Sequence, residues 1–529
     1  MDFILNRIIK ILNLKKKKHK FFFFSAIIKK KMAIASSNLT SGFIDLATYD
    51  ELDKYMYGGD ESTAYFVRAT QRSTWFTQVP VLLSRASGQA GFGQDFSVTI
   101  SRAGDYLLYT WLRVTIPELS VALAANEIDK EKTFKKKDGT TVKSKLKDRF
   151  IAWTPNLMHN IIREAAVTFN DLVAARFDSW HLDFWNAFTT PAGKQVGYLN
   201  MIGMTDDLIV PKKLLPLKVL NLPLPFFYSR DSGVALPTAA LPYNEMRLSF
   251  SFRNAIELLT TYDVYQFDDG TTVIDSHPSL TTDLVAEAKL DKVQVWANYA
   301  LVSNKERKQM ACAPRDILIE QVQTAPLQNF NPETNPNQNY DIRFSHAIKV
   351  LFFGVQNTTV ASQWSNYTTD ETQAFAIGPV DNFSLLIDQF FPGEDPIVET
   401  SLIYENTQRL AQMGSDYYSL VQPYYTAPTI PPYVGYHTYS YSLDFICLDP
   451  LGSTNYGKLT NVSIIPTASA TARLRAAPGV DVLIDDKIAQ ATQKETTFVN
   501  RRQTYRFIVT AVNNNIIRIS GGALGFPVL

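Results

Sequence analysis

Apolar and polar residues alternate with a period of two in several separate stretches of this chain. Phe96, Val98 and Ile100 alternate with Ser97, Thr99 and Ser101, and Met246, Leu248, Phe250 and Phe252 with Arg247, Ser249, Ser251 and Arg253. Tyr439, Tyr441, Leu443 and Phe445 alternate with Ser440, Ser442 and Asp444, and Tyr505, Phe507 and Val509 repeat the pattern near the end. Side chains along a strand point to opposite faces in turn, so each stretch predicts a strand with one buried face. Residues 348–355 are apolar except for Lys349 and Gly354, which predicts a strand covered on both faces. Sustained 3.6-residue periodicity is scarce, with 50–57 (DELDKYMY) as a single predicted helix. The fold class is all-β.

Between these strands lie stretches that read as loops. Residues 127–149 hold nine basic and five acidic side chains around Asp138-Gly139, a hairpin-turn signal. With only Ile128, Phe134, Val142 and Leu146 among those charges, the segment is expected to stand in solvent as a mobile hairpin. Residues 326–340 are rich in Asn and Pro, and 467–497 in Ala and Thr. The acidic, turn-rich stretch 254–290 is the candidate boundary between two β domains, drawn at 59–285 and 286–529. Each is long enough for a full core. No short-period repeat is visible; two halves of similar size are compatible with an old duplication.

Composition adds a constraint on the surface. Aromatics make up 12% and charged residues only 19%, which suits a protein that buries much of its exterior against copies of itself. The net charge of +1 conceals a division: residues 1–31 carry nine lysines and Arg7 against Asp2, a net +9, and the remainder holds 42 basic against 50 acidic residues. A body of −8 lacks the basic footprint of a nucleic-acid binder. Residues 21–28 form an apolar run too short to span a bilayer, which takes about 20 residues. Lys29-Lys30-Lys31 stand where a signal-peptide cleavage site would need small residues. Residues 1–31 are open to two readings: translated upstream sequence with the start at Met32, or a basic amphipathic arm able to bind anionic lipid. Residues 32–58 read as an N-terminal arm. Cys312 and Cys447 are too few for a disulfide framework and are expected as buried small hydrophobes in a reducing compartment. Asn38, Asn357, Asn366, Asn382 and Asn461 open sequons that carry no meaning in the cytosol.

Three motifs approach known chemistry and fall short. Residues 452–459 (GSTNYGKL) differ from the nucleotide-binding loop at its last position, where Leu459 supplies no hydroxyl for magnesium. The next residues, Thr460-Asn461-Val462-Ser463-Ile464-Ile465-Pro466, read as a strand, so no helix N-terminus receives phosphate. Asp231-Ser232-Gly233 is flanked by Arg230 and Val234 where a serine protease needs glycines, and no spacing singles out His159 or His181 as its base. Asp178, His181 and Asp183 could converge on a hard or borderline cation, but no further His or Cys cluster supports them. His277, His346 and His437 are isolated. The expectation is no catalytic, cofactor or metal site.

Several long blocks then resemble one family. They include SGFIDLATYDELDKYMYGG (41–59), SRAGDYLLYTWLRV (101–114), LMHNIIREAAVTFNDLVAARFD (157–178), LPLPFFYSRDSGVALPTAALPYNEMR (222–247), YENTQRLAQMGSDYYSLVQPYY (404–425) and NNNIIRISGGALGFPVL (513–529), with the Gly-Ser-x-Asn-Tyr of 452–456 among them. The chain thus resembles the major capsid proteins of iridoviruses through most of 36–529, departing from them in 1–31 and in a longer lysine-rich insertion near 127–149. That resemblance implies two tandem eight-stranded jelly rolls, a pseudo-hexagonal homotrimer tiling an icosahedral shell, and assembly in the host cytoplasm. It also implies an N-terminal arm directed to minor capsid proteins and an inner viral membrane, no direct nucleic-acid contact and no catalytic residues. A sugar-binding jelly-roll lectin and an all-β hydrolase are the competing functions; a stable trimer is demanded only by the shell protein.

Overall fold

The computed structural model describes residues 36–377, 383–477, 482–483, 496–497 and 499–526. The N-terminal segment 1–31 and Asn382 lie outside the described residues. The chain divides into two units, Met1–Ser73 and Thr74–Leu529. In the first, helix α1 (Ser36–Ala47) precedes α2 (Glu51–Met56). α2 sits inside the predicted 50–57. Its capping box explains the boundary: Asp50 accepts from the Asp53 amide at 3.1 Å and Asp53 from the Asp50 amide at 3.3 Å.

The second unit is built from sixteen principal strands. They are β1 (Phe76–Leu82), β2 (Asp95–Thr99), β3 (Tyr106–Ile116), β4 (Ile162–Phe169), β5 (Leu172–Asp178), β6 (Lys218–Pro223), β7 (Met246–Phe252) and β8 (Val293–Val302), followed by β9 (Arg315–Thr324), β10 (Tyr340–Asp341), β11 (Ala347–Asn357), β12 (Ile397–Tyr404), β13 (Thr407–Gly414), β14 (His437–Ser440), β15 (Val462–Ala468) and β16 (Tyr505–Ser520). Their antiparallel order is β1-β8-β3-β6 and β2-β7-β4-β5 in the first half. In the second half it is β9-β16-β11-β14 and β10-β15-β12-β13. Adding eight to every label of the first half produces the second. Each half is a jelly roll, two sheets of four principal strands, extended by short strands such as Ser84–Gly88, wound as paired Greek keys.

This order corrects the domain division drawn from sequence. β8 begins beyond residue 286 yet pairs with β1 and β3, so it completes the first roll. The stretch 254–290 is no linker either: Leu259–Phe267 and Thr272–Pro278 pair as a hairpin. Together with Glu131–Lys135 and Thr141–Trp153 they form an inserted sheet, to which Thr496–Thr497 adds a short parallel strand.

The charged segment 127–149 is therefore also corrected. It does turn at Asp138-Gly139, with Gly139 at φ +85°, but it is the edge of that sheet and not a hairpin free in solvent. Phe134 pairs with Val142, and Phe134 and Leu146 are buried with Tyr265, Phe267 and Val273. Composition concealed a period of two: Val142, Ser144 and Leu146 point inward while Lys143, Lys145 and Lys147 point out. Only Ile128 of the four apolar residues is exposed.

Of the four alternating stretches, β2, β7 and β16 bury the predicted face. The stretch from Tyr439 fails, because β14 ends at Ser440 and Leu443 is exposed. β11 is covered on both faces as predicted. Ile348, Leu351, Phe353 and Val355 face the interior of their own roll, while Val350 and Phe352 meet a helix from the first roll. That helix, α3 (Ser179–Thr189), follows β5 directly; α4 (Ala192–Ile202) comes next, and α5 (Asn304–Cys312) joins the rolls. A further helical segment, α6 (415–426), follows β13 directly and contains a π-helical turn at Tyr417–Val421. Cys312, at the end of α5, is exposed and Cys447 half-buried, so the expectation of two buried thiols does not hold. Both flank connections and not sheet interiors.

Candidate functional site

The structure places each near-motif in scaffolding. In 452–459, Thr454–Asn455 pairs with the start of β11, and a 3-10 turn covers Tyr456–Lys458. The Asn455 side chain accepts from the Gly457 amide at 3.0 Å, and the Asn461 amide donates to the Glu405 carboxylate at 3.2 Å. The Gly457 amide, which a phosphate in this loop would need, is thus already engaged by a side-chain oxygen. Tyr456 anchors the turn in the core of the second roll, its hydroxyl 2.7 Å from that of Tyr441.

Asp231 caps its own 3-10 turn, accepting from Gly233 at 3.0 Å. Its neighbour Arg230 lies 4.3 Å from the Trp185 ring and donates to Glu320 at 2.9 Å. His159 has both ring nitrogens committed elsewhere: Nδ1 donates to Asp183 at 2.7 Å, and Nε2 accepts from the Tyr198 hydroxyl at 2.8 Å. Burial pushes the Tyr198 phenol well above its usual range, so it remains a donor.

Asp178, His181 and Asp183 do not converge. Asp178 caps α3 by accepting from the His181 amide at 2.8 Å, and also accepts from Thr324 of the second roll at 2.7 Å. Asp183 accepts from Ser365 at 2.8 Å and Tyr367 at 3.2 Å as well as from His159. His181 stacks on Trp185, and burial, helped by Arg230, brings its pKa down to about 3, so it is neutral. Among the described residues no group of three His, Cys, Asp or Glu side chains is placed to hold a metal. The sequons Asn357 and Asn366 are buried, with side chains donating to Gln503 at 2.9 Å and to the Asp370 carbonyl at 2.8 Å.

What these residues do is fasten one roll to the other. Arg253 of β7's end is buried with its guanidinium 3.9 Å from the Trp364 ring and 5.7 Å from that of Trp180. It donates to the carbonyls of Asn160 at 2.7 Å and Ile162 at 3.2 Å. Across the same junction, Asn160 donates to Ser365 at 2.8 Å, and Trp364 Nε1 to the Glu257 carbonyl at 2.8 Å. Lys349 of β11 is buried with Glu320 of β9 at 2.6 Å, which Arg230 also meets. Separating the rolls would break the buried Arg230–Glu320 pair that spans them, and losing one partner of a buried pair costs about 3–5 kcal/mol. Sequence reading missed this network because its members are scattered over more than 200 positions. The readable signal was the aromatic density of FDSWHLDFWNAF, where Phe184 and Phe188 already fall on a helical i, i+4 spacing.

Of the exposed apolar side chains among the described residues of the second unit, two groups include paired aromatic rings. One is the outer face of β1-β8-β3-β6, where Trp111 and Trp296 stack with centroids 6.0 Å apart between the exposed Leu82 and Tyr109. A groove of about 610 Å³ runs beside it, lined by Tyr109, Trp111, Pro223, Trp185 and Tyr198 among others. The other is α6, which exposes Leu420, Val421, Tyr424 and Tyr425. Patches of this kind mark binding surfaces more than active sites.

Comparison with known proteins agrees with a site of assembly and not of catalysis. The family model described as large eukaryotic DNA virus major capsid protein matches residues 306–525, and that described as major capsid protein N-terminus matches 64–302, up to the last residue of β8. The chain is 55% identical over 506 residues to a major capsid protein of Invertebrate iridescent virus 6, covering 94% of this chain and 100% of that one. To the major capsid protein of Lymphocystis disease virus 1 (isolate Darai) it is 47% identical over 501 residues, with the same shares. Among solved structures, a quasi-atomic model of the PBCV-1 virus capsid superposes with a TM-score of 0.63 at 18% identity, covering 88% of this chain and all of that one. The Faustovirus major capsid protein does so at 0.62 and 11%, covering 93% and 100%. These last two likenesses concern the fold alone.

Proposed function

The chain belongs to the family of large eukaryotic DNA virus major capsid proteins, and from that premise we propose that it assembles as a pseudo-hexagonal homotrimer that tiles an icosahedral shell. It is a structural protein of the virion and not an enzyme. The observation that carries the finer reading is the repeated strand order: one chain holds two rolls of the same winding in one compact unit, so three copies present six similar bodies to a hexagonal lattice site. Heterologous contacts between such bodies close into rings when the rotation permits.

The domain limits that fit this reading are an arm to residue 58, a first roll ending with β8, and a second roll from there to the C-terminus. We assign the arm, with its +9 in residues 1–31, to contacts with minor capsid proteins and the anionic face of an inner membrane. The body at −8 makes no direct contact with the genome. Two unpaired thiols in 529 residues support assembly in the reducing host cytoplasm. No residue of the chain acts as a catalyst, cofactor ligand or metal ligand in this reading.

Sedimentation of the purified chain tests it: the expected mass is three times 59.6 kDa, and cryo-EM of particles should show trimers on a hexagonal net. A monomer at all concentrations that binds a glycan array would replace the shell protein with a lectin.

A further inference from the structure

Because the two rolls share one topology, the contact that joins them can be mapped onto the surfaces each leaves free. In β11, Lys349 is the extra residue of a bulge opposite β16: Ile348 pairs with Asn513 and Val350 with Val512. In β3, Leu108 is the extra residue of a bulge opposite β8: Leu107 pairs with Tyr299 and Tyr109 with Asn298. Setting the bulges in register matches Tyr109 with Val350 and Trp111 with Phe352. The helices align independently. α3 starts one residue after β5 and α6 one residue after β13, so counting from their starts matches Leu182 with Tyr418, Phe184 with Leu420 and Phe188 with Tyr424. Leu182 lies in the core of the first roll and Tyr418 in that of the second, so the inward positions agree.

Within the chain, Phe184 and Phe188 stack on Phe352 with centroids 6.3 and 5.5 Å away, and Phe352 is fully buried. The counterparts have no such cover among the described residues. Leu420 is 52% exposed, Tyr424 70% and Tyr109 47%, and the ring contacts of Trp111 are with Trp296 and Tyr109 of its own sheet. The π turn in α6 shifts the count by up to one residue, and Tyr425, at 77%, is exposed as well. Such turns recur at functional positions in helices.

We propose that α6 of one copy docks on the outer face of β1-β8-β3-β6 of the next, with Leu420 and Tyr424 over Trp111 and Tyr109. The contact repeats between copies the one that α3 makes with β11 inside a copy. It is heterologous, helix of one copy to sheet of the next, so rolls alternate first and second around a closed ring. This rests on the self-assembly reading and names the surface that performs it.

The test uses the full chain in three forms: wild type, a Leu420→Glu/Tyr424→Glu variant and a Tyr109→Glu variant. The replaced side chains are exposed in the single chain, so circular dichroism should match throughout. Wild type should sediment as a trimer, and either variant should raise the concentration of half-dissociation at least about tenfold, as expected for central aromatic anchors. A chain carrying Tyr109→Cys and Tyr424→Cys, with Cys312→Ser and Cys447→Ser, should form inter-copy dimers and trimers with a short bismaleimide, and neither single cysteine should. Unchanged trimers in both glutamate variants, or trimers that do not cross-link, overturn the proposed surface and leave self-assembly standing. A wild type that never trimerises removes the self-assembly reading and this contact with it.

Discussion

β3 and β11 hold the same place in the same winding, third strand of a jelly roll and neighbour of the eighth, yet their sequences differ sharply. β11 reads AIKVLFFGVQN, with ten of its eleven residues buried. β3 reads YLLYTWLRVTI, which leaves Tyr109 and Arg113 exposed and Trp111 half-buried. The difference comes from the helix that succeeds the fifth strand of the other roll. α3 lies on β11 within the chain, whereas no such helix among the described residues lies on the face of β3. An apolar pattern along a strand therefore reports its covering, and two strands of one topology need not look alike.

The strongest way to break this comparison is to empty the covered face. Phe352→Ala removes the ring on which Phe184, Phe188 and Phe445 pack, and should cost about 3–5 kcal/mol of stability. Tyr109→Ala, on the bare face, should change the dissociated chain by no more than about 0.5 kcal/mol. Denaturant midpoints measured below the dissociation concentration compare the two. Equal losses would mean that β3 is covered in the single chain after all.

Charge sharpens the same contrast. Glu371 is buried where the second roll meets the inserted sheet, 3.3 Å from Arg501, and burial outweighs that guanidinium to push its pKa up to about 7. Glu131, exposed on the inserted hairpin, is instead held below its usual range by Lys143 at 2.8 Å. Below the unfolded value near 4.5 Glu371 is protonated in both states and costs nothing. As pH rises toward 7 the unfolded chain releases this proton first, so stability falls by roughly 2–4 kcal/mol across that window. Melting temperatures of the wild type should decline there, and Glu371→Gln should remove most of the decline. The same slope in Glu371→Gln would assign it to other groups.

Much of the fold was legible because one-sided burial writes a period of two, as in Met246–Phe252, and two-sided burial erases it, as in Ala347–Asn357. The pattern misleads where burial comes from loops: Tyr439 still pairs with Leu351 in β14, but Tyr441 lies beyond the strand end, held among Tyr439 and Tyr456. Average charge misleads too, since 131–147 buries Phe134 and Leu146 beneath a face of lysines. The absence of catalytic motifs could be argued residue by residue, but the assembly surface could not. Its evidence is a register between two halves, and Leu420 and Tyr424 share no identity with Phe184 and Phe188. Only strand order reveals that they occupy matching places.

The smallest expected effect concerns glycine at the bare and covered extremes. Gly139 adopts φ +85° at the tip of the inserted hairpin, where the Gly139 amide donates to Lys136 at 3.0 Å and the Lys136 amide to Thr140 at 2.8 Å. A Cβ there meets nothing within 4 Å, so Gly139→Ala carries only the backbone cost of a left-handed residue, about 1 kcal/mol. Gly435, at φ +91°, precedes Tyr436 in the cluster that α3 covers, and a Cβ would lie 2.1 Å from the Tyr367 carbonyl oxygen. Gly435→Ala adds a backbone collision to the same torsional cost, so its loss must exceed that of Gly139→Ala. Hydrogen exchange separates the two: Gly139→Ala should speed exchange only along Glu131–Lys135 and Thr141–Trp153, while Gly435→Ala should also open β11 and α3. Faster exchange in β11 from the hairpin variant would show that the inserted sheet and the covered face form one cooperative unit.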